Sequence, residues 1–153
     1  MGGYAVSRST TVIADPARVH GLINSFHEWT AWSPWEDLDP ELSREYTGPD
    51  SGTGAHYAWS GNRKAGQGSM EITSSTPDEI GIRLEFLRPF RSTNSVTFTL
   101  TPAVDGTEVT WLMAAEQRGL MAVVGKVIPM DRFIGKDFER GLTRLKAVAE
   151  APA

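Results

Sequence analysis

The sequence predicts an α+β domain: an antiparallel sheet of about seven strands curving around a long C-terminal helix. One observation is strict alternation. Ile80, Ile82, Leu84 and Phe86 alternate with Gly81, Arg83 and Glu85, and Val96, Phe98 and Leu100 alternate with Thr97, Thr99 and Thr101. Val109, Trp111 and Met113 repeat the pattern, which marks sheet with one covered face. A second observation is the switch to helical spacing near the end, where Met130, Phe133, Ile134, Phe138, Leu142, Leu145 and Val148 form an apolar stripe. A third is size. A chain of 153 residues without repeats or linkers reads as one domain over 1–153. That length buries roughly 68–70% of the unfolded surface without staples.

The elements follow in order. Val6 to Ile13 is rich in Ser, Thr and β-branched residues and predicts a first strand. Asp15-Pro16 places an N-cap before a proline at the first helical position, and Val19, Leu22, Ile23 and Phe26 follow at helical spacing. A helix over Pro16 to about Asn24 is expected, then short helical turns and loop through Glu41. Turn signals punctuate the strands at Gly48 to Gly52, Ser60 to Asn62, Thr76 to Glu79 and Val104 to Gly106. Asp105-Gly106 reads as a short hairpin turn. The last helix is expected from about Met130 to Glu150, after Pro129. Gly141 interrupts it on the Ile134–Phe138–Leu145 side, at a cost near ~1 kcal/mol relative to alanine. Close approach of helix to sheet explains it.

Composition excludes several functions. Fifteen basic and 19 acidic residues give a net charge of −4, and no basic cluster exceeds Arg63-Lys64, so nucleic acid is not an expected partner. With no cysteine there is no disulfide, thiolate nucleophile or zinc-thiolate site. Met1 to Val6 lacks the features of a signal peptide, and the apolar run Leu120 to Gly125 is too short to span a bilayer. A cytoplasmic protein is expected. Three of the five tryptophans fall within seven residues, at Trp29, Trp32 and Trp35. Indoles at that density point to the wall or mouth of an apolar cavity.

Trp32-Ser33-Pro34-Trp35, the stretch Gly52-Thr53-Gly54-Ala55 with Tyr57, Trp59, Gly61 and Asn62, and Gly66, Gly68, Met70 and Ile72 carry a family resemblance. With Gly135-Lys136-Asp137-Phe138-Glu139, Gly141-Leu142 and Leu145-Lys146, the chain resembles the polyketide cyclase/dehydrase-like branch of the START/Bet v 1 (SRPBCC) superfamily. The resemblance implies a helix-grip fold, with a deep hydrophobic cavity between a bent sheet and the C-terminal helix. It does not imply one chemistry. Family members include lipid carriers, ligand-storage proteins, receptors and aromatase/cyclases.

On that fold, the helix-facing side of the sheet lines the cavity at every second residue. The expected lining from the strands is Tyr57, Trp59, Met70, Ile72, Phe86, Phe98, Trp111 and Met113. Phe133, Ile134 and Phe138 face them from the helix, with Trp32 and Trp35 at the wall. Leu120 to Ile128, flanked by Gly119 and containing Met121 and Gly125, is expected to lie across one end as a lid. Pattern alone favours a filled core, because apolar faces normally pack; it is the resemblance that points to a cavity.

Catalytic signals are thin. His20 falls off the apolar face of its helix, His27 adjoins the tryptophan segment, and His56 points away from the cavity if Tyr57 faces it. No two histidines have metal-ligand spacing, and Asp37, Asp39 and Glu41 lack the glycine and terminal glutamate of a calcium loop. The paired glycines at 52/54 and 66/68 do not continue into a phosphate loop, so they read as bulges or strand starts. Neither a metal nor a cofactor is expected. The leading expectation is binding of a hydrophobic or aromatic small molecule. A cyclase or dehydratase on the same cavity is the enzymatic alternative, with donors among Tyr57, Trp59, Asn62 and Trp111 but no convincing base. A cochaperone-like protein-interaction module is the third. Catalytic residues, ligand identity and oligomeric state stay open.

Overall fold

The alternating strands build a single seven-stranded sheet in the order β1-β7-β6-β5-β4-β3-β2, antiparallel throughout. The computed structural model describes residues 2–34, 41–62, 66–88, 91–117 and 130–151, with side chains for the same residues apart from 2–4, 115–117 and 130–134. The strands are β1 (Gly2–Val12), β2 (Ser43–Thr47), β3 (His56–Ser60), β4 (Gln67–Thr76), β5 (Glu79–Arg88), β6 (Ser92–Ala103) and β7 (Gly106–Gln117). Helix α1 (Pro16–Ile23) precedes a 3₁₀ turn at Glu28–Ala31, and α2 (Met130–Glu150) closes the fold. This is the expected helix-grip, with α2 lying along β1 and touching α1 and the 3₁₀ turn.

Most boundaries match the sequence pattern. Helix α2 has the expected limits, and the alternating sets on β5, β6 and β7 turn their apolar members inward. Strand β1 starts earlier than expected, at Gly2, because its whole length pairs with β7. Phe26 lies past the end of α1 yet is buried. Asp15 occupies the N-cap of α1 but makes no side-chain capping bond; its carbonyl accepts from the amides of Arg18 and Val19 at 3.0 and 3.2 Å.

The β6–β7 hairpin departs from expectation in a telling way. Ala103 pairs with Gly106, so Val104 and Asp105 are the turn residues, and none of the three has a positive φ. Gly106 is needed for space: a Cβ there would lie 2.0 Å from the Val12 carbonyl oxygen.

The edge of β1 is closed by side chains rather than by another strand. Lys146 Nζ donates to the Thr11 carbonyl at 3.0 Å, Arg8 Nη1 to the Ser7 carbonyl at 2.8 Å, and the Ile13 amide donates to Glu150 Oε2 at 2.8 Å. These bonds occupy groups that would otherwise template strand addition. Arg18 of α1 donates to the carbonyls of Ala149 and Val148 at 2.7 and 3.0 Å, satisfying the C-terminal end of α2.

Candidate functional site

Pairing register sorts the concave face into rows that cross the sheet. One end carries Arg44, Trp59, Gly68, Phe86 and Ser92, and the next row Tyr46, Tyr57, Met70, Leu84 and Asn94. Deeper rows hold Ile72, Ile82, Val96, Met113 and Val6, then Ser75, Ile80, Phe98, Trp111 and Arg8. The described strand residues expected to line a cavity therefore share one face, with Phe138 of α2 against them.

The deep end is packed solid. Trp111 stacks on Phe138 with centroids 4.0 Å apart and planes within 8°. Trp29 and Trp32 lie against each other at 4.5 Å and meet Phe98 and Trp111 edge-on. Both indoles also do polar work. Trp29 Nε1 donates to the Ile23 carbonyl and Trp32 Nε1 to the Leu22 carbonyl, each at 2.8 Å, so they satisfy orphan carbonyls at the end of α1. Their density in the sequence thus has a structural cause that spacing could not reveal. The same segment is bolted to α2: Arg144 donates to the Ser33 carbonyl at 3.0 Å and Arg140 to the Pro34 carbonyl at 3.1 Å.

The opposite end differs. Trp59 and Phe86 face the concave side but are only partly buried, while Tyr57, Met70 and Leu84 beside them are buried. The two rings meet edge to face, centroids 5.8 Å apart at 85°, across the bare backbone of Gly68. A Cβ on Gly68 would lie 2.6 Å from Trp59 Cη2, so the glycine lets the indole rest on the sheet. Register shifts by one residue at Gln67/Gly68, as a bulge does. Tyr57 stacks on Trp59 at 6.0 Å and continues the aromatic run to Tyr46 and Phe26.

Several polar residues on this face escaped the sequence reading, Asn94 and Arg8 among them. Asn94 is 2% exposed within the otherwise apolar column Val96, Phe98 and Leu100. Its Nδ2 donates to the Leu84 carbonyl at 3.4 Å and to Ser92 Oγ at 3.3 Å. Extending the alternation back from Val96 would have found it. Arg8, beside Trp111, lies over Gly135 of α2 and its Nε donates to Glu139 at 2.8 Å. A Cβ on Gly135 would collide with the guanidinium, which explains that second helical glycine.

Of the remaining candidates, Trp35, Met121 and the segment Leu120 to Ile128 lie outside the described residues, as do the side chains of Phe133 and Ile134. The histidines are not members of the four concave rows, but His27 and His20 touch residues that are. His20, expected in solvent, is half-buried with Nε2 3.4 Å from Ser75 Oγ. His27 stacks on Tyr46 at 4.1 Å and lies 4.0 Å from Asp50 Oδ1. His56 joins them around a surface pocket of about 160 Å³ at the β2–β3 turn. On the outer face, Arg83 pairs with Glu71 and Glu85 at 3.1 and 3.2 Å. Among the described residues, no three His, Cys, Asp or Glu side chains converge as metal ligands, and no helix is long and apolar enough to cross a membrane.

The family described as polyketide cyclase / dehydrase and lipid transport matches residues 4–150. Solved structures share the fold at low identity. A protein from Chromobacterium violaceum is 14% identical, with a TM-score of 0.69 over 97% of this chain and 98% of its own. The di-domain ARO/CYC StfQ from the steffimycin biosynthetic pathway is 13% identical with a TM-score of 0.72; the match covers 97% of this chain but 51% of that one. Ara h 8.0201 is 14% identical, with a TM-score of 0.62 over 97% and 98% of the two chains. No curated protein matches the sequence.

Proposed function

The chain belongs to the polyketide cyclase / dehydrase and lipid transport family, and from that premise we propose that it binds a hydrophobic or aromatic small molecule on the concave face of its sheet. The chamber lies at the β3–β5 end, where Tyr57, Trp59, Met70, Leu84 and Phe86 form the floor. The observation that carries this reading is the partial exposure of Trp59 and Phe86 on a face whose deeper rows are sealed. Leaving up to about a third of such a side chain in water forgoes roughly 0.5–1 kcal/mol of burial free energy. An apolar ligand laid on the pair recovers it.

Binding is favoured over catalysis by the side chains in reach. Among the described residues, the polar groups in the four concave rows are those of Arg8, Arg44, Tyr46, Tyr57, Ser75, Ser92 and Asn94, with the indoles of Trp59 and Trp111; no carboxylate or imidazole is a member of a row, and His20 and His27 reach them only through Ser75 and Tyr46. Hydroxyls and amides orient a ligand, whereas cyclisation or dehydration also requires a base beside the acidic C–H.

The neutral apolar probe N-phenylnaphthylamine tests the proposal. It should bind at one site and quench tryptophan emission. Trp59→Ala should weaken binding about tenfold while the thermal unfolding transition persists. An unchanged affinity in the folded variant, or no binding to the native protein, would remove the chamber from this end of the sheet.

A further inference from the structure

We infer that Arg44 is the specificity-determining residue of this chamber, selecting apolar ligands that carry a carboxylate over neutral ones of the same size. The inference rests on the chamber proposed above and adds to it the chemical class of ligand. Arg44 lies on β2, the last strand of the sheet, and pairs directly with Trp59 of β3. Residues opposite one another on antiparallel strands share a face, with Cβ atoms about 4.5–5.5 Å apart. Arg44 therefore belongs to the row of the Trp59–Phe86 pair, within reach of a group attached to a ring that rests there.

Exposure decides where a ligand can carry its charge. Arg44 is exposed, whereas Ile72, Ile82, Val96 and Met113 in the next deeper row but one are buried. An ionised carboxylate taken to that depth loses its hydration with nothing to replace it. At the Arg44 rim it keeps water on one side and meets a cation on the other, while the apolar body of the ligand covers Trp59 and Phe86. Arg8, the other arginine of the four rows, stands at the packed end and is paired with Glu139 at 2.8 Å. Arg44 has an interaction of its own within the protein. A guanidinium carries five N–H donors in a planar fork, so it serves a ligand carboxylate alongside that partner. Glu45, next in sequence, falls on the opposite face by strand alternation. Among the described residues no carboxylate is a member of the concave rows, where it would repel the anion.

Naphthoate and naphthamide, a charged and a neutral probe of the same size, test the inference by tryptophan quenching on the full chain at neutral pH. The readout is the ratio of their dissociation constants, which a merely structural role for Arg44 would leave unchanged in a variant. The native protein should prefer naphthoate about fivefold, and added salt should weaken naphthoate but not naphthamide. A net charge of −4 would by itself give the opposite salt effect, so weakening by salt reports a local cation. Arg44→Gln should abolish the preference. Arg44→Lys, which keeps the charge but loses the fork, should retain part of it. If the glutamine variant does not fold, the lysine variant and the salt dependence of the native protein carry the test. The same ratio in native and variant proteins, or a naphthoate affinity that salt leaves unchanged, overturns the role of Arg44 and leaves the chamber standing. Neither probe binding to the native protein overturns the chamber, and this inference with it.

Discussion

Gly141 meets the ring of Trp111 with no room for a methyl group between them: a Cβ would lie 2.9 Å from Trp111 Cζ3 and 2.9 Å from Pro34 Cδ. Both neighbours are ring atoms in a packed core and neither swings aside. Alanine improves helix propensity by about 1 kcal/mol, whereas overpacking at such a site costs about 1–3 kcal/mol. Gly141→Ala is therefore expected to destabilise the fold, and Gly141→Val more so. Urea denaturation at equal m-value reads the change directly.

Gly21 is the internal control. It sits in α1, and nothing lies within 4 Å of the Cβ it would gain. The same glycine-to-alanine change there should stabilise by about 0.4–1 kcal/mol. Opposite signs at the two sites, in one urea series, separate close approach from propensity.

Trp32→Phe keeps an aromatic ring in the core but deletes the indole N–H that serves the Leu22 carbonyl. Leaving that carbonyl without its partner should cost about 1–3 kcal/mol. Thermal unfolding measures it, and a neutral result would show that the indole acts through packing alone.

Legibility in the sequence followed the range of the interactions. Helix α2 and the faces of β5, β6 and β7 were readable because a period of 3.6 or 2 is written in neighbouring residues. Gly141 was readable because a costly glycine inside an apolar stripe asks for a tertiary reason. The capping role of Trp29 and Trp32 was not, since Ile23 and Leu22 become their partners only once the chain turns back on α1. Gly106 was read as a turn residue, but its constraint comes from the Val12 carbonyl on a distant strand. Asn94 lay in plain view, two residues before Val96, and was passed over because the alternation was followed through apolar letters only.

Glu150 supplies a pH dependence. The hydrogen bond from the Ile13 amide, with help from Lys146, holds its carboxyl below the usual carboxylate range. A depressed folded-state value means that the stabilisation is present above the unfolded value and fades as pH falls through the folded one. Glu150→Gln should therefore be less stable than the native protein at neutral pH, with the two converging in acid. Denaturation midpoints across that range check the convergence; a constant gap down to the lowest pH would contradict it.

The chamber itself is tested most directly by the indole N–H signals in a ¹H–¹⁵N spectrum recorded during titration with naphthol. Trp29 and Trp32 have their N–H groups committed to α1 carbonyls in the packed end, whereas Trp59 is partly exposed on the open one. A saturable shift of the Trp59 signal, with Trp29 and Trp32 unmoved, is the expected result. A Trp59 signal that stays fixed at naphthol saturation, or shifts confined to Trp29 and Trp32, would contradict a ligand site at the β3–β5 end.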